Sequence, residues 1–186
     1  MQRSDHFPTP IWEDTLQLDY NSIVEKVLAQ KNVSEGRIIS NIGGWQSDDM
    51  KLDFPELYKS IDDKLTEIGN QLSGMEFDFC QGWFNVNSGD DYNKLHFHPM
   101  STMSGVLYLK VDDNSGHIVF QNPVNIIEHY PFNPKQNNIL YSGISYKPEI
   151  GKVIIFPSWL GHLVQSSTSN EQRISFAFNY IQRNLV

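Results

Sequence analysis

From Gly74 onward the apolar residues recur at every second position, whereas before it they recur every third or fourth. This change of period constrains the fold more than any other feature of the chain. Alternation puts successive side chains on opposite faces of an extended backbone, so each segment has one face that must be buried against another layer. Seven segments read as strands, over 76–87, 102–111, 117–121, 138–146, 152–156, 162–167 and 172–181, separated by Gly, Pro, Asn and Asp. Seven or eight short strands predict a mainly β fold with flanking helices, a double-stranded β-helix of the jelly-roll, cupin-like kind.

The residues ahead of Gly74 supply a cover for that barrel. Residues 7–18 alternate loosely around two prolines and predict an edge strand or extended arm, which could also pair with the sheet edge of a second copy to give a homodimer. Ile23, Val24, Val27 and Leu28 follow Asp19 and Asn21 at helical spacing and predict a helix over 19–30. Residues 55–72 carry Leu57, Ile61, Leu65, Ile68 and Leu72 on one stripe, which predicts a second helix lying across an outer sheet face. Between them, Ser40 to Ser47 reads as a glycine-bearing loop with Trp45 as a packing plug. At 186 residues, with no repeat and no linker, the chain reads as one domain over 1–186: arm and helices over 1–73, β-helix core over 74–186.

Charge and composition remove several classes of function. The net charge is -8 and basic residues are scattered, which argues against a nucleic-acid backbone as partner. No apolar stretch approaches the length of a membrane span, and residues 1–6 lack the apolar centre of a signal peptide, so a cytoplasmic protein is expected. Cys80 is the single cysteine, which excludes an internal disulfide and suggests a small buried hydrophobe.

Two constellations carry chemistry. In the last strand, Ile174, Phe176, Phe178 and Tyr180 share one face while Arg173, Ser175, Ala177 and Asn179 share the other. Small Ser and Ala leave room beside the arginine, as a barrel lumen would, and a guanidinium beside a hydroxyl is a ready fork for a carboxylate. The other constellation is His96-Phe97-His98 with a distant His162. Histidines at i and i+2 on an extended chain reach one point, and a third from a neighbouring strand completes a face of a metal suited to neutral imidazole. Asp90 and Asp91 read as ordinary turn residues, and His6, His117 and His129 have no partners at useful spacing.

Together, Trp83 to Asn87, Asn93, His96-x-His98-Pro99, Ser104 to Leu109, Phe156-Pro157-Ser158-Trp159-Leu160-x-His162, and Arg173-x-Ser175 with Asn179 resemble a family of short 2-oxoglutarate- and iron(II)-dependent oxygenases found in phages and marine bacteria. The loop Ser40-Asn41 to Gln46-Ser47 resembles the same family's N-terminal signature. The resemblance implies iron(II) and 2-oxoglutarate as cofactors, with His96 and His162 as metal ligands. It places Arg173 and Ser175 on the far carboxylate of 2-oxoglutarate, with Tyr108 on the same group; the parity of Asn85 with Trp83 and Asn87 turns it toward the same pocket. The activity implied is hydroxylation of a C–H bond of a small molecule, peptide or protein by O2, with release of succinate and CO2.

One position departs from the pattern. The superfamily usually carries Asp or Glu where this chain has His98, so a metal held by His96, His98 and His162 keeps one more unit of positive charge. The same set imitates the three-histidine zinc site of carbonic anhydrase, so a divalent-metal hydrolase or hydratase remains an alternative. A non-catalytic jelly-roll binding module is the other. Trp45 and Trp159 are read as packing residues.

Overall fold

A computed structural model describes residues 7–49, 54–124 and 142–184. Eleven strands and two helices follow in the order β1 (Trp12–Thr15), α1 (Tyr20–Lys31), β2 (Asn41–Ile42), β3 (Trp45–Gln46), α2 (Pro55–Gln71), β4 (Phe77–Asn87), β5 (Tyr92–His96), β6 (Met103–Lys110), β7 (Ile118–Gln121), β8 (Gly143–Tyr146), β9 (Lys152–Pro157), β10 (His162–Val164) and β11 (Arg173–Gln182). They form two antiparallel sheets, ordered β1-β9-β6-β11-β4-β3 and β2-β5-β10-β7-β8. This is the jelly roll that the alternation predicts, with eight strands after Gly74.

The two faces of the larger sheet do different work. Ile174, Phe176, Phe178 and Tyr180 of β11 join Phe84, Val86, Leu107, Val153 and Ile155 on the outer face. The apolar stripes of α1 (Ile23, Val27) and α2 (Leu57, Ile61, Leu65, Ile68) cover that face, as their spacing predicts. Each fully buried aliphatic or aromatic side chain there contributes roughly 1.5–3 kcal/mol. The Asp19 side chain caps α1 by accepting from the Ser22 amide at 3.2 Å. Between the sheets lies a smaller cluster of Tyr108, Ile118, Phe120, Ile154, Phe156 and Leu160. That cluster closes only one end of the sandwich and leaves the other to polar side chains.

Four sequence expectations need correction. Residues 40–47 are not all loop: β2 and β3 extend the two sheets, with Asn41 opposite Asn93 and Gln46 opposite Asn85. The seven segments read as strands leave out residues 92–96, which form β5 and end on His96. Cys80 is exposed, not buried. Asn179 pairs with Gln81 and Tyr180 with Phe79, so Cys80 is the extra residue of a β-bulge and faces no partner residue on β11. Trp159 is 55% exposed, since it sits in the turn between β9 and β10, whereas Trp45 packs in the core and donates to the Ser34 carbonyl at 2.9 Å.

Other expectations fall as follows. The arm's strand β1 pairs with β9 of its own chain, Trp12 opposite Ile155. The strand expected over 162–167 ends at Val164. The segment expected over 138–146 is a strand from Gly143, and its first residues, like His6 and His129, lie outside the described residues.

Candidate active site

The smaller sheet brings the histidines together. His96 and His162 are directly opposite on β5 and β10. Asn93 pairs with Val164 in the same ladder, so three residue steps on β5 face two on β10. This bulge turns both Asn93 and His96 toward the inside, which strict alternation could not do. His98 follows two residues later, its amide donating to the Ser158 carbonyl at 3.0 Å.

One ring nitrogen from each of His96, His98 and His162 lies within 4.8 Å of the other two, and Nε2 of His98 is 3.2 Å from Nε2 of His162. Two nitrogens bound to one ion at about 2.1 Å stand about 3 Å apart, so this spacing is that of neighbouring ligands. Nδ1 of His96 is 2.7 Å from the Lys94 carbonyl and Nδ1 of His162 is 2.9 Å from the Leu160 carbonyl. Each Nδ1–H is thereby committed to the backbone, which leaves the Nε2 lone pair facing inward. Burial lowers the pKa of all three histidines, to about 4 for His98 and about 3 for His162. All three are neutral at ordinary pH and offer lone pairs without first losing a proton. Trp83 packs against His98 with ring centroids 5.7 Å apart.

Facing them, the larger sheet builds the far wall of an inner chamber of about 500 Å³, counting the part open to solvent. Tyr108, Ser175 and Asn85 are cross-strand neighbours on β6, β11 and β4, and all three line it. Arg173 lies one row away, opposite Asn87, and only 2% exposed. Its guanidinium donates to the Gly116 carbonyl and to Oδ1 of Asn87, both at 3.0 Å. Nε of Arg173 has no hydrogen-bond partner among the described residues, and no carboxylate lines the chamber. A buried cation left in this state calls for an anion. Burial also pushes the Tyr108 hydroxyl up to about 12, so it stays protonated and able to donate. Three imidazoles on one wall and a buried guanidinium with a phenol on the other fit a divalent transition metal and a carboxylate-bearing chelator.

Residues 81–179, just over half of the chain, match the sequence profile of a family described as "Putative 2OG-Fe(II) oxygenase". The chain belongs to that family. Its members are enzymes that use iron(II) and 2-oxoglutarate, and the matched span holds all three histidines, Tyr108, Arg173 and Ser175. A comparison with curated protein sequences finds no match.

Solved 2OG-Fe(II) oxygenases share the fold. A prolyl-4-hydroxylase of Pseudomonas putida superposes with a TM-score of 0.66 at 16% identity, over 95% of this chain and 94% of that one. The viral collagen prolyl hydroxylase of Paramecium bursaria Chlorella virus-1, solved as a 2-oxoglutarate complex, gives 0.61 at 14% identity, over 92% and 96%. HygX of Streptomyces hygroscopicus, solved with nickel and 2-oxoglutarate bound, gives 0.66 at 11% identity, over 95% and 84%.

Asp90 and Asp91 are not among the clustered metal-binding groups; Asp91 accepts from the Ser88 amide at 2.9 Å, as a turn residue does. His117 is engaged with Ser145 at 2.9 Å. Sequence reading assigned no part to Trp83 or Asn87, which hold His98 and Arg173 in place. The inward parity of β4, shared with Asn85, was the available signal for both.

Proposed function

We propose that this protein is a 2-oxoglutarate- and iron(II)-dependent dioxygenase that hydroxylates a C–H bond of a small-molecule or peptide substrate, with His96, His98 and His162 holding the metal. Iron(II) with 2-oxoglutarate supplies the oxidising chemistry, consuming O2 and releasing succinate and CO2 as the substrate is hydroxylated. Arg173 binds the far carboxylate of the cosubstrate through the Nε–H that has no partner, helped by the hydroxyls of Tyr108 and Ser175. Asn87 and the Gly116 carbonyl fix the guanidinium so that no reorganisation is needed on binding. Asn85 borders the same carboxylate subsite. The apolar cluster around Phe120 and Phe156 closes the chamber floor and excludes water.

The observation that carries this reading is Arg173: a buried guanidinium with an unpartnered Nε and no ion pair among the described residues, on the wall facing three convergent imidazoles. A zinc-type hydrolase would need the histidines but gives Arg173 no task. Among the solved relatives, a Trichoplax adhaerens prolyl hydroxylase holds a peptide fragment, which keeps a peptide within the range of substrates. No helix among the described residues is long and apolar enough to cross a membrane.

Anaerobic titration with iron(II) and then 2-oxoglutarate tests the reading. The weak visible charge-transfer band of a bidentate keto acid on iron(II) is expected, and Arg173→Ala should lose it at the same cosubstrate concentration while still binding metal. Iron binding with no band in the wild type would rule the reading out.

A further inference from the structure

His96 and His98 stand between the inner chamber and an outer groove of about 1000 Å³, again counting its open part; with Ser40 and Trp83 they line both. The charge of this groove runs against that of the chain. The protein carries -8, yet among the described residues the charged ones lining the groove, apart from the histidines, are Arg37 and Lys94, with no Asp or Glu beside them. Lys94 has no ion pair among the described residues, and Arg37 has one distant contact, Nε to Asp48 at 3.7 Å between two exposed side chains.

Two buried amides add donors to the same surface. Gln46 is only 4% exposed and its side chain has no hydrogen-bond partner among the described residues. Asn179 is 1% exposed, and its Oδ1 already accepts from Ser104 at 2.7 Å, which leaves its NH2 to donate. Neither amide is sealed from solvent, so each can donate to a ligand that enters the groove. Beside these donors Ile39, Leu95 and Phe97 lie 63%, 46% and 55% exposed, an apolar strip leading to the histidines.

Resting on the oxygenase reading above, we infer that the groove receives a carboxylate-bearing substrate. Arg37 and Lys94 hold its acidic group, and its carbon skeleton lies along Ile39, Leu95 and Phe97 toward the metal. Acceptor-only carboxylate oxygens answer a wall made of donors. A phosphate is the poorer fit, because neither helix begins in this groove to aim backbone amides at it. Two sources present such an acid, a free small acid or an acidic side chain on a peptide.

Calorimetry on the iron(II)- and 2-oxoglutarate-loaded protein, under anaerobic conditions, separates these cases with charge-neutral pairs. One arm uses 4-phenylbutanoate against 4-phenylbutanamide, and the other uses acetyl-Phe-Glu-amide against acetyl-Phe-Gln-amide. In at least one arm the acid should bind about tenfold more tightly than its amide, and the difference should shrink with added salt. It should collapse in the Arg37→Gln, Lys94→Gln double variant, whose changes fall on exposed side chains. The arm that shows the preference identifies the free acid or the peptide. Equal binding of acid and amide in both arms, no binding in either, or a preference that survives the double variant would overturn the proposal. The visible band in the same sample keeps the two questions apart: a band without acid preference overturns only this inference, and acid preference without a band overturns only the oxygenase reading.

Discussion

His98 and His162 present Nε2 atoms to each other at 3.2 Å, although 64 residues separate them in the chain. The two are not equivalent. Nδ1 of His162 is tied to the Leu160 carbonyl, whereas Nδ1 of His98 has no partner among the described residues, so only His162 is locked in the ligating tautomer. His162→Ala should therefore lower iron(II) affinity by more than about 100-fold, beyond what loss of an outer-shell partner costs. His98→Asp should keep iron(II) within about tenfold, because it supplies a carboxylate oxygen from the same place on the chain. Anaerobic metal titrations of both variants check this; equal losses would show that the tautomer lock is not what distinguishes them.

Tyr108 gives a gentler test of the chamber. Its ring is fully buried and its hydroxyl is held well above the ordinary range, so it can donate a proton in a hydrogen bond but not lose it. Tyr108→Phe keeps the ring and removes one donor, which is worth about 1–2 kcal/mol against a charged acceptor. Titration with 2-oxoglutarate should show a dissociation constant raised about fivefold to thirtyfold, with metal affinity unchanged. A value equal to the wild type would place the cosubstrate's carboxylate out of reach of this hydroxyl.

How much of this was legible in the sequence depends on where alternation survives. β11 keeps strict alternation from Arg173 to Asn179, so its inward Arg173, Ser175, Ala177 and Asn179 could be read directly. β5 could not be read this way. It buries Asn93 and exposes Leu95, the reverse of the usual rule, because its inner side borders a polar chamber and its bulge changes parity before His96. Cys80 departs from the usual burial of a free cysteine because it is the inserted residue of a bulge, and nothing in Phe79-Cys80-Gln81 marks the insertion. β2 and β3 are two residues each and owe their form to the strands they pair with, so no periodicity announces them.

The histidines also set an acid limit for the metal-free protein. Their pKa values in the fold lie below the unfolded value near 6.5, chiefly through burial, at about 4 for His98 and about 3 for His162. As pH falls below 6.5 the unfolded chain takes up protons that the folded one refuses, so stability is lost progressively from about pH 6.5 down to about 4 for His98 and about 3 for His162. The carboxylates held below their ordinary range, such as Asp14 and Asp112, add to the loss only from about pH 4 downward. Thermal melts of metal-free protein should show a midpoint lower by about 5 °C at pH 5 than at pH 7, and His98→Gln should recover part of the drop. A midpoint that does not change between pH 7 and 5 would show that the imidazoles are not held neutral by burial.

Gly82 tests the other face of the sheet, where the fold is held rather than the chemistry. It lies on β4 beneath the Phe176 ring, and a Cβ built there would sit 2.5 Å from Cζ of Phe176 and 3.1 Å from Cζ of Phe79. Phe176 is fully buried and packs on Phe84 and Tyr58, with centroids 4.8 and 5.4 Å apart, so the ring has no open space to swing into. Gly82→Ala should cost about 1–3 kcal/mol by overpacking, read as a lower melting midpoint. The side chain points away from the chamber, so iron(II) and 2-oxoglutarate should still give their band in the folded variant. Trimming the ring should relieve the clash: the Gly82→Ala, Phe176→Leu pair should be less destabilised than the sum of the two single changes. Strict additivity would mean that the glycine is required by the backbone of β4 and not by the approach of the phenylalanine.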